Sequence, residues 1–364
     1  MLPRALARDV LPIVADLADA CGDAMFLLAG PQAVALPHPV CVDVLEALPG
    51  LTRDIVGRGL AHIDPIYLAK LHGATVSGDR MVVTSGGIHL VDLWNQAGLH
   101  TEAPLLSPTA TAVQEVTEPC LLLFHHSSCG DNHSHWLLQA LPQLGLCEQA
   151  GVRPRFLVVQ PSVRPYQRDV LAALGYGAGD VLARDPGTAM RFRTLYVGYV
   201  DGGLVPDPWI FDRQIAAFGE PDCGPAKLYV SRQDARSIRR LLNEAELIER
   251  LRAEGFEIVV PSLLSAADEV AVFRNARLIV GPLGAGLYNA VFTRPGATVV
   301  ALSDPNYVME WLPQVAALRG HRIGWMFRLG FDADDQVYGK THGNWIVDAE
   351  AVVARLGGLR TRFA

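Results

Sequence analysis

Arg277-Leu-Ile-Val280-Gly281-Pro-Leu-Gly284-Ala-Gly286-Leu-Tyr-Asn289 sets a short apolar run directly ahead of a glycine-rich turn that opens a helix. A run this short and continuously apolar reads as a strand covered on both faces, which is the habit of parallel sheets. Reading outward extends the pattern. Lys227–Arg232 is a strand, and the apolar period of Ile238, Leu241, Leu242, Ala245, Ile248 and Leu251 predicts a helix over 236–253 that Gly255 ends. Residues 256–260 are the next strand, stopped by Pro261. Ser265 with Asp268 three residues on is a capping box for a helix to about Asn275. Residues 297–302 are a further strand and 307–318 a further helix. Strand and helix alternating at this spacing give an α/β fold with a parallel sheet and crossover helices.

The first half is less regular. Residues 120–124, 155–160 and 194–200 read as buried strands, and 133–148 and 165–175 as helices. Residues 30–110 are rich in Pro, Gly and β-branched types and suggest short antiparallel strands. Residues 201–225 are broken by Pro and Gly. The expected division is therefore an N-terminal domain over 1–205, a linker over 206–226 and a C-terminal domain over 227–345. A last helix over 346–364 is expected to pack back on the N-terminal domain.

The chain has 364 residues, half of them apolar and 19% charged, with a net charge of −7. That excludes a disordered chain, and with no long basic run it argues against nucleic acid as a partner. None of the six Cys form a C-x-x-C, and so long a chain needs no disulfide staples; they read as reduced thiols of a cytoplasmic protein. Near the N-terminus, Val10, Ile13, Val14, Leu17 and Ala18 share a helical face. Asp9, Asp16, Asp19 and Asp23 interrupt the stretch, which is neither a signal sequence nor a membrane span.

Three constellations carry chemistry. In the glycine turn, Gly284, Ala285, Gly286 and Leu287 would offer backbone N–H groups at a helix start, a natural seat for a diphosphate. The spacing is neither a Walker A loop nor G-x-G-x-x-G, which disfavours a dinucleotide-dependent oxidoreductase. Arg232 ends the first strand on the same rim, where a guanidinium can bond two phosphate oxygens. Glu244, beside Asn243, could accept from ribose hydroxyls, whereas Arg239 is expected in a surface Arg–Glu pair. The third is Phe124-His-His-Ser-Ser-Cys-Gly-Asp131-Asn132-His133-Ser-His135-Trp136, with four His in eleven residues after a buried strand. Asp131, His135 and Gln139 fall at i, i+4 spacing. The cluster suits proton abstraction; a zinc site is the rival, with Asp131 as its nearest acidic ligand.

Taken in order, Asn132-x-x-His135-Trp136 with Leu141-Pro142, Tyr229-Val-Ser-Arg232, Arg239-Arg-x-x-Asn243-Glu244, Gly281-Pro-x-Gly-Ala-Gly286-Leu-x-Asn289 and Phe292-x-x-Pro295-Gly296-Ala297 resemble glycosyltransferase family 61 over residues 120–305. The resemblance implies a GT-B architecture, two Rossmann-like domains whose parallel sheets face a central cleft. It also implies an inverting transferase that needs no metal or other cofactor. A nucleoside-diphosphate sugar, UDP-linked, would be the donor and a glycan or other hydroxyl compound the acceptor, as in bacterial capsule and exopolysaccharide assembly. A lipid-linked acceptor would bring the protein to the inner face of a membrane.

On that reading Arg232, Asn243, Glu244, Gly284, Ala285, Gly286, Leu287 and Asn289 hold the donor. Asn132, His133, Trp136 and Gln139 line the acceptor side, and His135 with Asp131 supplies the base. The chain departs from the family in two places. Leu283 stands where His is usual in the glycine turn. Gln139 stands where Asp or Glu, a candidate base in relatives, usually follows the His by four. These departures keep open a binding protein of the same fold with impaired catalysis.

Overall fold

The structure, a computed structural model, describes residues 25–29, 32–35, 60–63, 66–77, 82–85, 88–90, 113–124, 128–159, 162–185, 187–200, 208–221, 223–234, 239–304, 307–327 and 344–363. The expected helix over 10–18, His125 and His126 lie outside them. The chain divides into two compact units, Met1–Gln32 with Ile63–Gln214 and Ala33–His62 with Ile215–Ala364.

Among the described residues the first unit is built on a nine-stranded sheet. Its strands are β1 (Met25–Ala29), β4 (Ile66–Ser77), β5 (Val82–Ser85), β6 (Ile88–Leu90), β7 (Val113–Val116), β8 (Cys120–Leu122), β9 (Phe156–Val159), β10 (Val181–Ala183) and β11 (Ala189–Val200). A separate pair, β2 (Gln32–Ala35) and β3 (Leu60–Ile63), forms a small sheet of its own. The order β10-β9-β8-β11 is parallel, and β11 then pairs antiparallel with β4 from Met190↔Val76 to Val200↔Ile66. β4, β5 and β6 continue antiparallel. This sheet is therefore mixed: β8 to β11 supply the parallel half that a Rossmann-like domain implies, and the antiparallel β4, β5 and β6 fall within residues 30–110, which suggested antiparallel strands. Only two residues separate β5 from β6, too few for the crossover a parallel pair needs.

Helical segments α1 (Ser128–Asp131), α2 (His133–His135), a π-helical turn over Trp136–Ala140 and α3 (Gln143–Gln149) follow β8. α3 lies against β11 at Gly198, where a Cβ would stand 2.9 Å from the Leu146 side chain. Helix α4 is Pro165–Ala173. The stretch read as a linker carries helix α5 (Pro208–Phe218), with Ile210, Phe211 and Ile215 buried.

The second unit holds five parallel strands, β12 (Lys227–Val230), β13 (Glu257–Val259), β14 (Leu278–Pro282), β15 (Thr298–Ser303) and β16 (Arg322–Phe327), in the order β13-β12-β14-β15-β16. β16 has no counterpart in the sequence reading. Helices α6 (Glu244–Ala253), α7 (Ala266–Arg274) and α8 (Trp311–Arg319) connect the strands, with Ser265 capping α7 by accepting from the Asp268 N–H at 3.1 Å. In this doubly wound order the chain winds one way from β12 to β13 and back the other way to β14. The crevice outside the carboxyl ends of β12 and β14 is the place where such sheets bind ligands.

One expectation is corrected here. The helix predicted over 236–253 begins only at Glu244. Leu241 bridges to Trp345 instead, and Ala245 and Leu242 face solvent while Leu247, Ile248 and Leu251 are buried. The last helix is α9 (Ala349–Phe363), in the second unit. Val352 and Leu356, one turn apart, join Leu247, Ile248, Leu251 and Phe256 in one apolar cluster that covers α6. Cys120, Cys129 and Cys147 are buried thiols and Cys223 is an exposed one; Cys21 and Cys41 lie outside the described residues. Among the described residues no helix is long and apolar enough to cross a membrane.

Candidate functional site

Three strand ends of the second unit build one rim. The Arg232 N–H donates to Glu244 Oε1 at 2.9 Å, and the buried Tyr229 hydroxyl donates to the same oxygen at 3.0 Å. Burial, and then the Glu244 charge, push the Tyr229 hydroxyl far above its usual range, so it stays a donor. Glu244 is itself buried, and it turns the chain after β12 so that the Arg232 side chain crosses to the next strand end. There Nη1 donates to the Leu283 carbonyl at 3.0 Å. Gly284 is bare for this reason: a Cβ on it would run into Nη1 and stand 2.9 Å from Cζ.

Arg239 completes the rim, in a role that sequence reasoning missed. It is expected in a surface Arg–Glu pair, but its guanidinium lies 4.1 Å over the Tyr307 ring, beyond the end of β15. Its Nε and Nη1 are buried and have no hydrogen-bond partner among the described residues. Its φ is 54°, left-handed, a conformation that a non-glycine residue holds at a cost of order 1–3 kcal/mol. Burial, and then the charge of Arg239, push the Arg232 guanidinium below its usual range. Two cations that repel each other, one with unpaired buried N–H groups, favour an anion between them. The doublet Arg239-Arg240 was visible in the sequence. The Tyr307 contact spans 68 residues and was not.

The glycine turn leads into a 3₁₀ helix, Ala285–Phe292. Leu287 N–H donates to the Gly284 carbonyl at 3.0 Å and is engaged within the turn, which leaves Gly284, Ala285 and Gly286 as the candidate donors. Leu283 is buried, its N–H bonded to the Leu302 carbonyl at 2.8 Å. Asn289 is fully buried and donates to Glu269 of α7, while His321 Nε2 meets the Ala290 carbonyl at 3.0 Å. These contacts fix the underside of the helix. Asn243 grips the Val347 backbone twice, Nδ2 to the carbonyl at 2.8 Å and Oδ1 from the N–H at 3.1 Å. Asn243, Glu244 and Asn289 thus bond the protein's own chain and shape the rim from behind.

The histidine segment sits at the carboxyl ends of β8 and β9 in the first unit. Asn132 Oδ1 caps α2 by accepting from the Ser134 N–H at 3.0 Å and hydroxyl at 2.7 Å. Trp136 is buried, edge-on to Phe124 with ring centres 5.9 Å apart. His133 faces Tyr166 at 5.6 Å. Asp131 does not reach back to His135; it pairs with Arg164 at 2.8 Å on the exposed side. His135 is half-buried, and its Nδ1 lies 2.5 Å from Gln139 Oε1. Burial pushes its pKa below the usual imidazole value, against a smaller upward pull from the Gln139 bond. A neutral imidazole here can accept a proton at pH 7. Among the described residues no group of three His, Cys, Asp or Glu could hold a metal ion.

Residues 133–300 match a family model described as Glycosyltransferase 61. None of the curated proteins matches the chain.

Proposed function

From the premise that the chain belongs to glycosyltransferase family 61 through residues 133–300, and so is an enzyme that moves sugar from a nucleotide sugar to a glycan acceptor, we propose an inverting, metal-independent transfer from a UDP-linked donor. The observation that carries the reading is the pairing of Arg232 and Arg239 beside the glycine turn, at the switch point of a doubly wound sheet. The two guanidiniums and the N–H groups of Gly284, Ala285 and Gly286 bind the diphosphate. They stabilise the charge it gains on leaving, the task a divalent cation performs elsewhere. Asn243, Glu244 and Asn289 act on the donor by holding that rim in place.

His135 takes the proton of the acceptor hydroxyl on Nε2. The acceptor oxygen bonds the anomeric carbon from the face opposite the diphosphate. The bond from that carbon to the phosphate oxygen breaks, and its electron pair leaves with UDP, so the configuration inverts. Asn132, His133, Trp136 and Gln139 shape the acceptor side, and Asp131 acts through Arg164. The family resemblance implies residues 1–205 as the acceptor side and 227–345 as the donor side of a GT-B enzyme. A polysaccharide or lipid-linked acceptor at the inner face of a bacterial membrane rests on that resemblance alone.

A thermal-shift panel of UDP-, GDP-, CMP- and TDP-sugars tests the donor. Ligand at 100 times its Kd adds about 2.7 kcal/mol of stability. Stabilisation by UDP compounds alone is expected; a shift with none of the four overturns the reading. Leu283 and Gln139 favour a second reading, a sugar-nucleotide binder with impaired catalysis. Tight UDP binding without UDP release from any UDP-sugar would select it.

A further inference from the structure

We propose that Gln139 is a positioning residue, an uncharged stand-in for a carboxylate that holds His135 in the tautomer with the proton on Nδ1 and the lone pair on Nε2. The inference rests on the reading of His135 as the base. The Gln139 oxygen faces Nδ1 at 2.5 Å, and an amide oxygen only accepts, so the ring nitrogen it meets carries the hydrogen. Free imidazole favours the opposite tautomer, so the contact selects the less common one.

The surroundings hold the backbone of residue 139 in place. Gln139 is fully buried in the π-helical turn, where Leu141 N–H reaches back five residues to the Trp136 carbonyl at 2.9 Å. Such turns are rare and concentrate at functional sites. The Gln139 carbonyl takes Gln143 Nε2 at 3.4 Å, and Gln143 Oε1 accepts from the Gly198 N–H at 3.2 Å, which anchors the turn to β11. Arg164 holds Asp131, and the His133 ring lies tilted by 52° beside that of Tyr166. Orientation without charge has a chemical consequence. A carboxylate at 139 would stabilise the imidazolium and raise the basicity of His135. The amide leaves the ring neutral to lower pH, as a base that needs no prior deprotonation.

The test is ¹⁵N NMR of the His135 ring in the full chain, with UDP release from UDP-glucose, UDP-N-acetylglucosamine and UDP-xylose measured on the same samples. The wild-type ring should be protonated on Nδ1. Gln139→Met should shift it toward the Nε2–H form and lower kcat at least about tenfold, a part of the roughly 10²–10⁴ that a general base contributes, with donor KM unchanged. Gln139→Glu keeps an acceptor oxygen and so covers the case in which the Met variant fails to fold. It should retain the tautomer and raise the pKa of His135 by about one unit or more, moving the acidic limb of the pH–rate profile with it. An Nε2–H tautomer in the wild type overturns the proposal. So do unchanged tautomer and kcat in a folded Gln139→Met, or an unmoved pKa in Gln139→Glu. His135→Ala separates the two readings: retained turnover there removes the base itself, whereas lost turnover beside an indifferent Gln139 removes only the positioning.

Discussion

Replacing Gly284 by alanine should weaken nucleotide binding while leaving the fold in place, because the one group in its way is Arg232. Gly284 has φ 173° and ψ −178°, extended backbone that alanine adopts without strain. The added Cβ would overlap Arg232 Nη1 and stand 2.9 Å from Cζ and 3.2 Å from Cδ. Those atoms are the far end of a flexible side chain, so the guanidinium swings away and gives up the Leu283 carbonyl. Losing a hydrogen bond to a charged group costs about 1.5–3 kcal/mol when its partner is the diphosphate. At 1.4 kcal/mol per decade, UDP affinity should fall about 10- to 150-fold. The reduced chain entropy of the unfolded alanine variant offsets about 0.4–1 kcal/mol of the lost internal bond, so the melting temperature should move by only a few degrees.

Gly281→Ala is the contrast. Its Cβ would stand 2.6 Å from the Val230 carbonyl oxygen, backbone that cannot yield, and the second unit should fail to fold. Titration calorimetry with UDP on Gly284→Ala, Arg232→Ala and the double variant gives the decisive cycle. If Gly284 matters by seating Arg232, the alanine adds nothing once Arg232 is gone. Wild-type UDP affinity in a folded Gly284→Ala, or two fully additive losses, would refute the argument.

Arg239→Ala should lower UDP affinity by a similar factor with little loss of stability, since it removes a cation whose Nε and Nη1 have no hydrogen-bond partner among the described residues; unchanged affinity by calorimetry would take Arg239 out of the site. EDTA should leave UDP release intact, with Arg232 and Arg239 supplying the positive charge; activity lost on chelation and restored by Mn²⁺ or Zn²⁺ would revive the metal reading of the histidine segment. His321 is fully buried, and burial chiefly, with Arg319 adding to it, pushes its pKa down to about 4 despite the Ala290 bond. A depressed histidine pKa means that the unfolded chain binds more protons between pH 4 and 6.5. Stability is therefore complete above about pH 6.5 and falls as pH drops toward 4, by up to about 3 kcal/mol at 1.36 kcal/mol per unit. His321→Gln, which keeps a donor for Ala290, should lose less melting temperature than wild type between pH 7 and 4.5; parallel losses would refute the assignment.

Short-range signals made much of this chain legible from its letters. Apolar runs bounded by Gly255, Pro261 and Gly281 marked the strands of the second unit. Ser265 with Asp268 marked a helix start, and Arg232 and the glycine turn fell on one rim. Each of these rests on neighbours a few residues apart, where periodicity and capping chemistry act. The family match from 133 to 300 spans these stretches. Tertiary structure alone decided which side chains stay available for chemistry. Asn243 and Glu244 look like free polar groups on a helix until Val347 and Tyr229 claim them, and Asn289 until Glu269 does. Arg239 looks like a surface charge until the chain turns left-handed and lays it on Tyr307. A buried polar group must find a partner, and those partners stand 15 to 104 residues away, beyond any local pattern; only the folded chain assigns them.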